Sequence, residues 1–129
     1  MANPVSARDI RRVIANATSL QVADRANIVM RVLAAVRSCG VKQVLMMPEN
    51  GGICRLLKRG LQREQQQGDH RFPELEMTNT PISGTVDDTF AATQAMVDSG
   101  VKAIVVLGGD GTHRAVAKVC GQVPIAGIS

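Results

Sequence analysis

The chain has 129 residues, 45% of them hydrophobic and only two of them aromatic, both phenylalanine. That length accommodates one domain with a real core, and the scarcity of aromatic rings excludes stacking platforms for single-stranded nucleic acid. The net charge of +4 hides a division: residues 1–63 hold 11 Lys/Arg against 3 Asp/Glu, whereas residues 64–129 hold 4 against 8. A basic half can attract an anionic ligand such as a nucleotide, although most of these arginines read as solvated helix faces. Cys39, Cys54 and Cys120 have neither metal-site spacing nor the pattern of a disulfide framework, which points to reduced, structural thiols in a cytoplasmic protein. The polar start Met-Ala-Asn-Pro does not read as a signal peptide, and no apolar run approaches the ~20 residues of a membrane span.

In chain order, helical periodicity begins at Ala7, just after Asn3-Pro4. Asp24 reads as the cap of a helix with the apolar stripe Ile28, Val29, Val32, Leu33 and Val36, ended by Gly40. Val44 to Met47 predicts a strand stopped by Pro48, with both methionines in the core. Ile53, Leu56, Leu57 and Leu61 form a second helical stripe, with Arg55, Lys58, Arg59 and Arg63 on the outer face. Residues 64–74 read as a polar loop, with His70 inert within it, and Leu75 to Thr78 as a weaker strand. Thr85 and Asp88 resemble a capping box; Val86, Phe90 and Val97 follow on one helix face, and Gly100 closes it. Capping is also the preferred role for Asp87 and Asp88, since adjacent helical residues point in different directions and make a poor metal pair. Ala103 to Leu107 is the strongest strand, and Val123 to Ile128 the last, with Pro124 tolerated near its start.

Strands alternating with helices predict an α/β fold of Rossmann-like type, three αβα layers around a mainly parallel sheet. In such sheets ligands bind beyond the carboxyl ends of the strands. The turns at those ends are rich in small or polar residues: Pro48 to Gly52, Thr80 to Gly84, and Gly108 to Thr112. The last is the most informative. Gly108-Gly109-Asp110-Gly111-Thr112 joins the strongest strand to a helix extending over Arg114 to Val119. Glycines permit close approach of an anion, and the helix start offers free N–H groups and a positive dipole end. Asp110 is the puzzle, because a carboxylate repels phosphate. It can hold Mg²⁺ directly or through water, it can take a proton from a hydroxyl that attacks phosphorus, or it can simply cap the helix. His113 and Arg114 stand beside it, each able to meet a phosphate and each equally at home on an exposed helix start.

Gly-Gly-Asp-Gly-Thr after an apolar strand resembles the signature of the superfamily of NAD kinases, diacylglycerol and sphingosine kinases and, more loosely, 6-phosphofructokinases. Asn3-Pro4-Val5-Ser6-Ala7 resembles the Asn-Pro-x-Ser-Gly turn after that superfamily's first strand. Val123 to Ser129 resembles the strand leading to its second nucleotide loop. With Met46-Met47-Pro48 and His113-Arg114 the wording is most similar to a bacterial ATP-NAD kinase-like group tied to acetoin catabolism. NAD kinases usually place apolar residues where His113 and Arg114 stand. The superfamily's later asparagine-acid motif and all-β domain have no counterpart within these 129 residues.

The resemblance implies that residues 1–129 form an amino-terminal α/β domain, with a nucleotide site in a cleft against a second, all-β domain; both ends of the chain read as cut. It implies an ATP-dependent kinase acting on a hydroxyl of NAD or a related acceptor, with ATP, Mg²⁺ and NAD as its ligands. Asp110 would activate the acceptor hydroxyl. Gly108, Gly109, Gly111 and Thr112 would cradle phosphate, and Asn3 and Ser129 would line the same site. The alternative is a nucleotide-binding regulatory module that kept the cradle without turnover. Nucleotide ligands and a homo-oligomeric partner copy are expected, with no nucleic acid and no membrane.

Overall fold

The computed structural model describes residues 17–68 and 71–128. Asn3, the segment before Ala17, His70 and Ser129 lie outside the described residues. Helix α1 (Ala17–Ser38) leads to β1 (Gln43–Met46), α2 (Ile53–Gln66), β2 (Glu74–Met77), α3 (Val86–Asp98), β3 (Ile104–Leu107), α4 (Asp110–Val119) and β4 (Ile125–Ile128). None of the described helices is long and apolar enough to cross a membrane.

Helix α1 contains Asp24 rather than starting at it. Ala17 to Ala23 includes no glycine or proline, so nothing stops the helix from extending back past Asp24, which is exposed and caps nothing. The other end is as expected. Gly40 takes φ 98°, its N–H donates to Arg37 O at 3.0 Å, and the Val41 N–H donates to Val36 O at 3.0 Å. This double closure satisfies the last carbonyls and needs a residue free of a Cβ.

Helix α2 buries Ile53 and Leu57 completely but leaves Leu56 36% exposed. It also runs on to Gln66, so the polar connection is shorter than 64–74. The glutamines are good helix formers and extend the helix without a core to bury. An Arg71–Glu64 ion pair at 3.0 Å ties the connection back. In α3 the buried face is Asp88, Thr89, Ala92, Thr93 and Met96. The expected face of Val86, Phe90 and Val97 is displaced from it, with Val86 54% exposed. Small residues win this face because α3 lies against α4, and Thr93 Oγ1 donates to Thr89 O at 2.7 Å to satisfy its own hydroxyl.

The strands are parallel, but they pair two by two: β1 with β2 and β3 with β4. Among the described residues, the mainly parallel sheet expected from the alternation takes the form of two small parallel sheets. The three layers are nevertheless present. Side chains alternate across a strand, so Leu107 joins a core with Leu33 of α1, Met46 of β1 and Leu57 of α2, whereas Ile104 and Val106 join a second core with Met96 of α3 and Val116 of α4. Met46 and Met47 are both buried, one in each core. A groove of about 410 Å³, lined by Val32 and Val36 of α1, Val44 and Met46 of β1, and Ile104 and Val105 of β3, lies among these elements. Its walls are almost wholly apolar, without the convergent polar groups a nucleotide requires.

Candidate functional site

Helices α2, α3 and α4 follow the carboxyl ends of β1, β2 and β3 in chain order, α4 after the shortest turn. Each start exposes N–H groups without helical partners and is a potential anion site. At two of the three, a carboxylate of the chain is tied to the backbone of the helix start or of the turn that leads into it.

At α2, Glu49 folds over the helix start. Its Oε1 accepts from the Cys54 N–H at 2.7 Å, and its Oε2 accepts from the Gly51 N–H. Cys54, buried beside it with Sγ 3.8 Å from Met47 O, has its thiol pushed up from 9.0 to about 11, by burial first and by the Glu49 charge second. That thiol is a structural group, since the reactive form is the thiolate.

At α3, Thr85 is the N-cap and accepts from the Asp87 N–H at 3.3 Å. Asp88 reaches further back than a capping box requires. Its carboxylate accepts from the Ser83 N–H at 2.8 Å, the Gly84 N–H at 2.8 Å and the Ser83 hydroxyl at 2.6 Å. The Ser83 hydroxyl, then the backbone donors, hold its carboxyl below the ordinary 3.8. Asp88 is thus the carboxylate that ties the α3 start, whereas Asp87 is engaged through its backbone N–H to Thr85, and the described residues include no cluster of metal-ligating side chains.

Helix α4 is different. Its N-cap is Gly109, no side chain caps it, and Asp110 is its first helical residue. The helix therefore begins four residues before Arg114, and Asp110 does not cap it. The Asp110 carboxylate is exposed and accepts no hydrogen bond from the described residues. Its charge at the positive end of the helix is favourable, so the carboxylate is held at the helix start without being consumed by a neighbour.

The glycines divide by role. Gly108 is buried and its N–H donates to Ile128 O at 3.1 Å, extending the β3–β4 ladder. That N–H is already paired. Gly109 is exposed in extended backbone (φ −86°, ψ −173°). Gly111 is exposed inside the first turn, and a Cβ there would meet nothing within 4 Å. Glycine weakens a helix, and no packing among the described residues requires one here. Thr112 is buried at 7% exposure. Arg114 is exposed, whereas His113 is half-buried and turns back, Nδ1 lying 2.7 Å from Gly109 O, so it does not reach outward from the helix start. The structure thus brings Gly108, Gly109, Asp110, Gly111 and Thr112 together at one helix start. Sequence reasoning gave Glu49 no role; its sole signal was a carboxylate a few residues ahead of an uncapped helix.

Comparison with known proteins agrees with this geometry. The family model described as the ATP-NAD kinase N-terminal domain matches residues 12–129. Acetoin catabolism protein X of Cupriavidus necator H16 is 59% identical over 129 residues, covering all of this chain and 36% of the relative. The chain therefore spans about a third of the length of that relative. No solved structure matches. With the α/β architecture and the glycine-aspartate helix start in place, the chain belongs to the ATP-NAD kinase family, matching its amino-terminal domain.

Proposed function

We propose that this chain is the amino-terminal nucleotide-binding domain of a kinase that transfers a phosphoryl group from ATP to a hydroxyl of NAD or a related acceptor, in a protein linked to acetoin catabolism. The observation that carries the reading is the α4 start, where, among the described residues, no carboxylate accepts a hydrogen bond from the chain as Glu49 and Asp88 do at α2 and α3, and where Asp110 stands exposed. Family membership supports the phosphoryl-transfer chemistry, and the relative's name supports the acetoin link.

Each residue then has a task. The backbone around Gly109 and Gly111 admits phosphate oxygens close to the helix start, where the amides and the dipole offset their charge. Asp110 orients the acceptor hydroxyl and accepts its proton as the oxygen attacks the γ-phosphorus; the bond from that phosphorus to the β-phosphate oxygen breaks, and ADP leaves. Asp110 also fits a divalent cation, which is commonly held by one carboxylate together with substrate phosphates. When bound, Mg²⁺ supplies charge neutralisation on the phosphates. Asn3 and Ser129 are proposed to line the same site.

The test is direct. The full-length protein with ATP, Mg²⁺ and NAD should yield NADP. Asp110→Asn should lower turnover by about 10²–10⁴-fold, the usual contribution of a positioned proton acceptor, with ATP affinity retained. Tight ATP binding with no turnover on any hydroxyl acceptor would refute the kinase assignment and favour a regulatory nucleotide-binding module.

A further inference from the structure

The Gly109 carbonyl receives two hydrogen bonds from one residue. The His113 backbone N–H donates to it at 3.1 Å, as the first helical bond of α4. The imidazole Nδ1 lies 2.7 Å from the same oxygen. A carbonyl oxygen only accepts, so Nδ1 carries the proton, and in the neutral ring Nε2 carries none.

The far edge of the ring rests on β4. A Cβ built on Gly127 would run into Nε2 and lie 2.8 Å from Cδ2. Gly127 is not among the residues with positive φ. Its backbone conformation therefore does not call for glycine, whereas the imidazole beside it does. Gly127 pairs in register with Val106 of β3, and β3 runs directly into the Gly108–Gly109 turn. The histidine thus closes a loop of contacts: β3 to the glycine turn, the turn to α4, and α4 through the ring back to the strand paired with β3.

We propose that His113 is a positioning residue for the Asp110 turn, with Gly127 as the seat that its ring requires. Through Nδ1 it holds the Gly109 carbonyl along the helix axis, which keeps the carbonyl dipole away from an incoming anion. Through the seat on Gly127 it fixes the start of α4 against the end of β4. The consequence for ligand binding rests on the nucleotide reading above; the ring's tautomer and seat do not.

Two measurements on the full-length protein decide it. The first uses ¹⁵N-labelled histidine and long-range ¹H–¹⁵N spectra at a pH where the ring is neutral, with the His113 signals assigned by their loss in His113→Asn. The wild type should show the Nδ1–H tautomer, and Gly127→Ala should expel the ring and restore the Nε2–H form preferred in water. An Nε2–H ring in the wild type, or an unchanged spectrum in Gly127→Ala, would overturn the proposal. The second is calorimetric titration with ATP. Asn places its amide nitrogen where Nδ1 stands, so His113→Asn should bind like the wild type. His113→Gln, whose amide lies further out, should bind about fivefold more weakly, the worth of one hydrogen bond. Equal affinity in the wild type and both variants would overturn the positioning role. A wild type that fails to bind ATP would count against the nucleotide reading alone, because the tautomer measurement uses no ligand.

Discussion

Glu49 and Cys54 are joined at 2.7 Å, carboxylate Oε1 to backbone N–H, and this contact places an anion of the chain's own at the start of α2. The same carboxylate lies beside a thiol whose ionisation it opposes. Replacing Glu49 should therefore have two separable effects. Glu49→Ala removes the cap and should lower stability by about 1 kcal/mol, as loss of an N-terminal capping group does. It should also bring the Cys54 thiol down from about 11, though not back to 9.0, because burial is the larger cause and persists. Urea unfolding measures the first effect. The pH dependence of iodoacetamide labelling measures the second, with exposed Cys39 as the internal reference.

Asp88 makes a prediction about acid. Its carboxylate is held below 3.8 by the donors of Ser83, Gly84 and Thr85. A carboxyl with a lower value folded than unfolded stabilises the fold fully above the unfolded value, and that contribution is lost as pH falls through the folded value. Wild-type stability should therefore decline as pH drops below about 4. Asp88→Asn should be less stable than the wild type at neutral pH and should converge toward it in acid. Thermal melts across pH 2–7 (roughly the carboxylate range) would show the two curves closing. A gap that stays constant would contradict the assignment.

The turn after β3 was readable because its signals are local and agree: an uninterrupted apolar strand, a pair of glycines, and a helix immediately after. The stop at Gly40 was readable for the same reason. Asp24 misled because a capping residue type says where a helix can start, and only a breaker upstream forces it to start there. Val86 misled because the α3 face is chosen by close packing on α4, which favours Ala92 and Thr93. Strand pairing was illegible in principle: local patterning identifies β1 and β3 as strands but carries no information about which edges meet. The His113 contact lay equally out of reach, since it depends on the absence of a side chain at Gly127, on a different element.

Gly111 offers the sharpest separation of stability from function. It stands in the first turn of α4, exposed, with open space where a Cβ would go. Alanine there should stabilise the helix by as much as about 1 kcal/mol, while placing a methyl group where a phosphate would approach. Gly52 provides the contrast. Its φ is +103°, and a Cβ there would lie 3.3 Å from Val22 Cγ1, so Gly52→Ala should destabilise the fold by about 1–2 kcal/mol from the backbone alone. If α4 carries the nucleotide site, Gly111→Ala should melt at or above the wild-type temperature and still bind ATP more weakly. Gly52→Ala should melt lower and, below its melting point, bind ATP as the wild type does, because α2 is closed by Glu49. Unimpaired binding by Gly111→Ala would remove the α4 start from the site.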